Sequence, residues 1–155
     1  MNSAYKSSTR SVGRSQEDVR RVLAKYGASR VSFEEDWTGS GIVAVRFMFL
    51  INSIPYGVRI RSKVPDVENK TPTRGKLRSQ DQIYKLREQA QRTIWRAIYW
   101  AIKSRMEAVE FGIETFQEAF LAHFEIPGQD GDTIGDRLIP QLDSGRLMLP
   151  APKST

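Results

Sequence analysis

Lys85, Arg92, Arg96 and Lys103 follow one another at intervals of seven, four and seven residues. At about 100° per residue they return to one narrow stripe of a helix, near 0°, 340°, 20° and 0° with Lys85 as the origin. Arg78 falls at about 20° if the helix starts that early, and Tyr99 at about 320° and Trp100 at about 60° border the stripe. Cations at such spacing neutralise phosphates, and rings beside them stack on exposed bases. Asp81 and Glu88 are the only acids in the first six turns, so few i,i+4 ion pairs account for the stripe. An acidic protein surface would meet it as well, and a solvated helix face is the plain alternative. Other cations could join: Lys70, Arg74, Lys76 and Arg78 in a loop, Lys6, Arg10 and Arg14 in an N-terminal arm, and Arg59, Arg61 and Lys63 alternating along a strand. Such contacts are independent of base sequence, so non-specific or single-strand binding, of DNA by preference, is better supported than operator recognition. No helix-turn-helix spacing, zinc finger or RNP-type motif accompanies them.

Other chemistries find less. With no Cys there is no thiolate metal site and no cysteine nucleophile, and His123 stands alone among Phe120, Leu121 and Phe124. Glu107, Glu110, Glu114 and Glu118 have helical spacing, but no Asp-x-Asp pattern supports a magnesium site, and GQDGDTIGD lacks the closing Glu of a calcium loop. P-loop, G-x-G-x-x-G and G-x-S-x-G patterns are missing. The expectation is a non-enzymatic protein without metal or cofactor.

These residues need elements to position them. Ser15 caps a short helix, QEDVRRVLAKYG, that stops at Gly27 and turns Val19, Val22, Leu23 and Tyr26 to one side, Arg20, Arg21 and Lys25 to the other. RVSFEEDW alternates as a half-buried strand, IVAVRFMFLI suits a central strand, and IPYGVRIRSKV after a turn at Asn52 and Ser53 makes a third. Short links imply an antiparallel meander. Residues 64–80, without periodicity, form a mobile basic loop before the long helix. That helix faces its core with Ile83, Ala90, Ile94, Ala97, Ala101 and Ala108, flanked by Leu86 and Ile98, and places Trp95 at the boundary. It weakens near Gly112, Thr115 with Glu118 opens FQEAFLAHF, and Asp132 or Thr133 caps a last helix to about Leu142. The fold is α+β: a short N-terminal helix, a three-stranded antiparallel meander, a long amphipathic helix and short C-terminal helices, with the helices on one sheet face. Residues 1–14 read as a flexible basic arm, 15–143 as one domain and 144–155 as a tail.

Composition agrees with a globular chain, at 155 residues with 39% apolar and 27% charged. The net charge of +6 is unevenly spread. Residues 67–105 hold ten basic and three acidic side chains, residues 106–155 three basic and nine acidic. Such polarity favours a polyanion or an acidic protein as partner. It also leaves homo-oligomerisation open, since the basic and acidic halves could pair between copies or within one chain. No apolar run spans a bilayer and no export signal is read, so a cytoplasmic location is expected.

The stretch from Thr93 to Lys153, with TIWRAIYWAIK, EAVEFGIETF and EAFLAHFEIP followed by an acidic turn and an LP tail, resembles a family of small tailed-phage and prophage proteins. STRSV near the start and PTRGKLRS in the loop look similar too. The resemblance implies an accessory protein working in the host cytoplasm, beside recombination or replication or by inhibiting or recruiting a host factor. It assigns no functional residue. At fold level alone, a three-strand meander followed by a long helix is similar to the core of single-strand annealing recombinases.

Overall fold

IVAVRFMFLI becomes the middle strand because it supplies apolar side chains along its whole length. A computed structural model describes residues 9–36, 39–71 and 75–146. In it β2 (Ile42–Ile51) lies between β1 (Arg30–Glu35) and β3 (Ile54–Lys63), all antiparallel. Asn52 and Ser53 both take positive φ, 51° and 65°, as a two-residue type I′ turn requires. The register puts Phe47 opposite Val58 and Val45 opposite Ile60 on one face. On the other face Arg46 meets Arg59 and Ala44 meets Arg61.

The apolar face carries α1 (Val12–Lys25) and α2 (Gln80–Glu110). Ser11, not Ser15, caps α1 by accepting the Arg14 N–H at 3.2 Å, and Ser15 is buried inside the helix. Residues 12–14, expected in the basic arm, thus belong to α1, and Lys6 lies outside the described residues. Ser79 and Gln82 form a reciprocal capping box at the start of α2.

The core seam of α2 differs from the expected one. Its buried residues are Ile83, Trp95, Ile98, Ile102 and Met106, while Ala90, Ile94, Ala97, Ala101 and Ala108 are only half-buried. The seam is turned by roughly 100°. Alanines leave a gap against a sheet lined by Val43, Val45 and Phe47, and close packing selects the longer side chains. Trp95 is 0% exposed and meets Phe33 edge-on at 5.4 Å. On the adjoining flank α1 lies against α2, tied by Arg96 to Asp18 at 2.7 Å and by the Tyr26 hydroxyl to Glu110 at 2.5 Å.

Beyond Gly112, whose φ of 70° ends α2, Thr115 caps α3 (Phe116–Phe120) by accepting the Glu118 N–H. Phe116, Phe120 and Phe124 join Phe47, Phe49 and Tyr56 in one aromatic cluster. The chain then rounds the open edge of β3. Phe124 bridges Val58, and the Glu125 N–H donates to the Gly57 carbonyl at 2.9 Å. A polar turn and α4 (Ile134–Asp143), capped by Thr133 with Asp136, lie against the second sheet face. Helices on one face alone is thus corrected, because the acidic C-terminal segment folds back within the chain. Within residues 64–80, on either side of 72–74, the Thr71 N–H donates to the Lys76 carbonyl at 2.9 Å and the Arg78 N–H to the Asn69 carbonyl at 2.7 Å, and Lys70 bridges Leu77.

The seating of α4 rests on Gly135, where a Cβ would stand 2.7 Å from the Ala122 carbonyl oxygen. Gly135→Ala is expected to cost about 1–3 kcal/mol. Gly13→Ala, on α1 with nothing within 4 Å, should instead add about 0.5–1 kcal/mol. Urea unfolding of both beside the native chain checks this; an unchanged midpoint for Gly135→Ala would mean that α4 is not held there.

Candidate nucleic-acid interface

On α2 the expected stripe exists, but most of its cations are engaged within the chain. The Arg96 side chain is 13% exposed; it shares Asp18 with Arg10, and its guanidinium lies 3.9 Å over the Tyr99 ring and 5.6 Å from that of Trp100. Arg10 first, then Arg96, hold the Asp18 carboxyl below its ordinary range. Lys103 pairs with Glu107 at 2.9 Å, which raises its pKa, and sits 5.1 Å over Trp100. Lys85 pairs with Asp81 at 3.1 Å in solvent. Half-buried Arg92 donates to Gln89 at 2.7 Å, and its Nε has no partner among the described residues. Tyr99 is half-buried, while Trp100 is 39% exposed. Counting acids along α2 alone missed Asp18, which arrives from another helix.

Arg59 and Arg61 do not line an open sheet face. Arg46 holds Glu125 through two bonds, 2.6 and 3.0 Å, and reaches Glu34 at 3.4 Å. Arg59 donates to Glu34 at 2.8 Å and to the Gly131 carbonyl at 3.0 Å. Arg61 pairs with Asp136. Arg61 and the Thr133 cap bring the Asp136 pKa down to about 2. His123 beside this network is half-buried, and burial first, then Arg105 and Arg61, lowers its pKa. These groups bind the C-terminal segment to the sheet.

Of the loop cations, Arg74 lies outside the described residues, and Arg78 donates to the Glu68 carbonyl at 2.6 Å. Lys70 and Lys76 are exposed beside the bridge from Lys70 to Leu77, with exposed Arg87 on the first turns of α2.

A second stripe escaped the sequence reading. Arg14, Arg21 and Lys25 repeat the seven and four spacing of α2, within about 40° of one face of α1, and all three are exposed. Among the described residues only Arg21 of the three approaches a carboxylate, Glu17, at 3.8 Å, while the Lys25 ammonium lies 5.1 Å over the Tyr26 ring. Asp18 lies four residues after Arg14 and three before Arg21, so the stripe borders the seam where Arg96, Tyr99 and Trp100 gather. The repeated spacing was a usable signal.

This arrangement can hold a polyanion and present one ring edge beside it. Among the described residues no group of three or more His, Cys, Asp or Glu could hold a metal ion, and no helix is long and apolar enough to cross a membrane. No protein-family model, curated protein or solved structure matches the chain.

The lowered Asp136 gives a signed pH dependence. Its contribution to stability is complete above the ordinary value of 3.8 and fades as pH falls towards about 2. Asp136→Asn should therefore unfold at lower urea than the native chain at neutral pH, with the gap closing across that acid window. A gap independent of pH would contradict the Arg61 contact as its source.

Proposed function

We propose that the protein is a non-enzymatic nucleic-acid-binding protein that grips phosphates through Arg14, Arg21 and Lys25 of α1, with Trp100 as a stacking edge. One observation carries this reading. The carboxylates Asp18, Glu34, Glu125 and Asp136 engage Arg10, Arg46, Arg59, Arg61 and Arg96, whereas Arg14, Arg21 and Lys25 stay exposed with Glu17, at 3.8 Å from Arg21, as their nearest acid among the described residues. The α1 stripe covers about 16 Å, the length of roughly five phosphates along one duplex strand. Lys85, Lys70 and Lys76 extend the charged surface, whereas Arg59, Arg61 and Arg96 act by holding the fold. Phosphate contact alone reads no sequence, so the binding is non-specific. A place beside recombination or replication in a phage-infected cell is the setting that the tailed-phage resemblance implies.

Anisotropy titration of labelled single-stranded and duplex DNA from about 50 to 200 mM salt tests it. The Arg14, Arg21 and Lys25 triple alanine variant should lower the log–log salt slope by about 2–3. Trp100→Ala should weaken single-strand binding more than duplex binding, because only unstacked bases offer a face to the ring. Arg96→Ala should instead lower stability and leave the slope in place. An unchanged slope in the triple variant, or no binding at low salt, would sink the reading; the second outcome is what an acidic host protein as the partner predicts.

A further inference from the structure

We propose that the protein associates head to tail with further copies of itself, the acidic apolar end of α2 in one copy seating on the basic apolar end of α2 in the next. Phe111 and Ile113, on the turn that ends α2, are 76% and 75% exposed. Around them residues 110–118 hold three carboxylates, Glu110, Glu114 and Glu118, and no cation. Glu110 accepts the Tyr26 hydroxyl and Glu118 the Thr115 hydroxyl, so neither negative charge is cancelled by these contacts. At the other end Leu77 and Tyr84 are 71% and 61% exposed, and among the described residues Lys70, Lys76, Arg78, Lys85 and Arg87 outnumber Glu68, Asp81 and Glu88, the last of which accepts the Tyr84 hydroxyl. Exposed apolar groups rimmed by charge mark an interaction surface.

The geometry decides who can occupy it. Tyr84 and Phe111 are 27 residues apart on or at the end of one helix, about 40 Å at 1.5 Å per residue. A rigid helix keeps the two ends of one copy apart, so complementary ends can meet only between copies. Like ends cannot pair comfortably, since a two-fold contact through either would bring equal charges together. The remaining arrangement is heterologous, giving open chains or a closed ring. It uses no residue of the α1 stripe, shares Lys70, Lys76 and Lys85 with the surface proposed for nucleic acid, and is tested with no nucleic acid present.

Sedimentation velocity over a concentration series tests this with two variants at exposed sites, Phe111→Ser with Ile113→Ser, and Leu77→Ser with Tyr84→Ser. The native chain should grow with concentration and shrink with added salt. Each variant alone should stay a monomer of 17.7 kDa. An equimolar mixture should give a particle of twice that mass and nothing larger, because each partner keeps one working end. Circular dichroism checks that both variants fold; should either fail, the charge reversals Glu114→Lys and Lys76→Glu replace them, each weakening growth alone and restoring it in the mixture, because the two reversed ends are complementary. A native chain monomeric at every concentration, growth that persists in the variants, or a mixture that stays monomeric would each overturn the proposal.

Discussion

Two arginines face each other across the central ladder, and the second half of the fold answers that placement. Arg46 and Arg59 are direct cross-strand partners in β2 and β3, where like charges repel. Glu34 from β1 reaches both, at 3.4 and 2.8 Å, but one carboxylate does not balance two guanidinium groups, and Arg61 stands one cross-strand pair away. The remaining carboxylates, Glu125 and Asp136, come from beyond α3. The chain must round the β3 edge to deliver them, and the bridge from Phe124 to Val58 and the bond from Glu125 to Gly57 are the path it takes. Ala44, between Glu34 and Arg61, is fully buried under the resulting polar roof.

That roof pairs three arginines with three carboxylates and so removes both signs from the exposed surface of the sheet. A bidentate carboxylate and guanidinium contact is worth more than an exposed pair, on the order of 1.5–3 kcal/mol for a hydrogen bond to a charged group. Acids drawn into such contacts no longer screen the helices. Asp18 does the same between Arg10 and Arg96 and ties α1 to α2. Cation-rich patches are thus left on the helical side, and the acidic end of α2 stays distinct from its basic end.

Much of the fold was legible in the residues. Alternating and apolar runs located all three strands, Asn52 and Ser53 located the turn, and Thr115 and the Asp132–Thr133 pair located two helix starts, because each is a local preference of backbone and side chain. The α1 cap was misplaced by four residues, since Ser11 and Ser15 are equally good acceptors and only burial against the core chooses between them. The face of α2 was misjudged for a related reason. A wheel of 31 residues with apolar groups on several sides admits more than one seam, and the sheet selects the one whose side chains fill its surface.

By itself, then, the sequence determined the α+β class, the order of elements, the lack of cysteine chemistry and the stripe of cations along α2. All of these follow from composition and short-range periodicity. Tertiary structure alone decided which cations remain available. Arg59, Arg61 and Arg96 differ from Arg14, Arg21 and Lys25 in what lies opposite them, Glu34, Asp136 and Asp18 in the first set and largely solvent in the second. Charge pairing acts through space over a few ångströms, and residues 78 positions apart, such as Asp18 and Arg96, become neighbours only when the chain has folded.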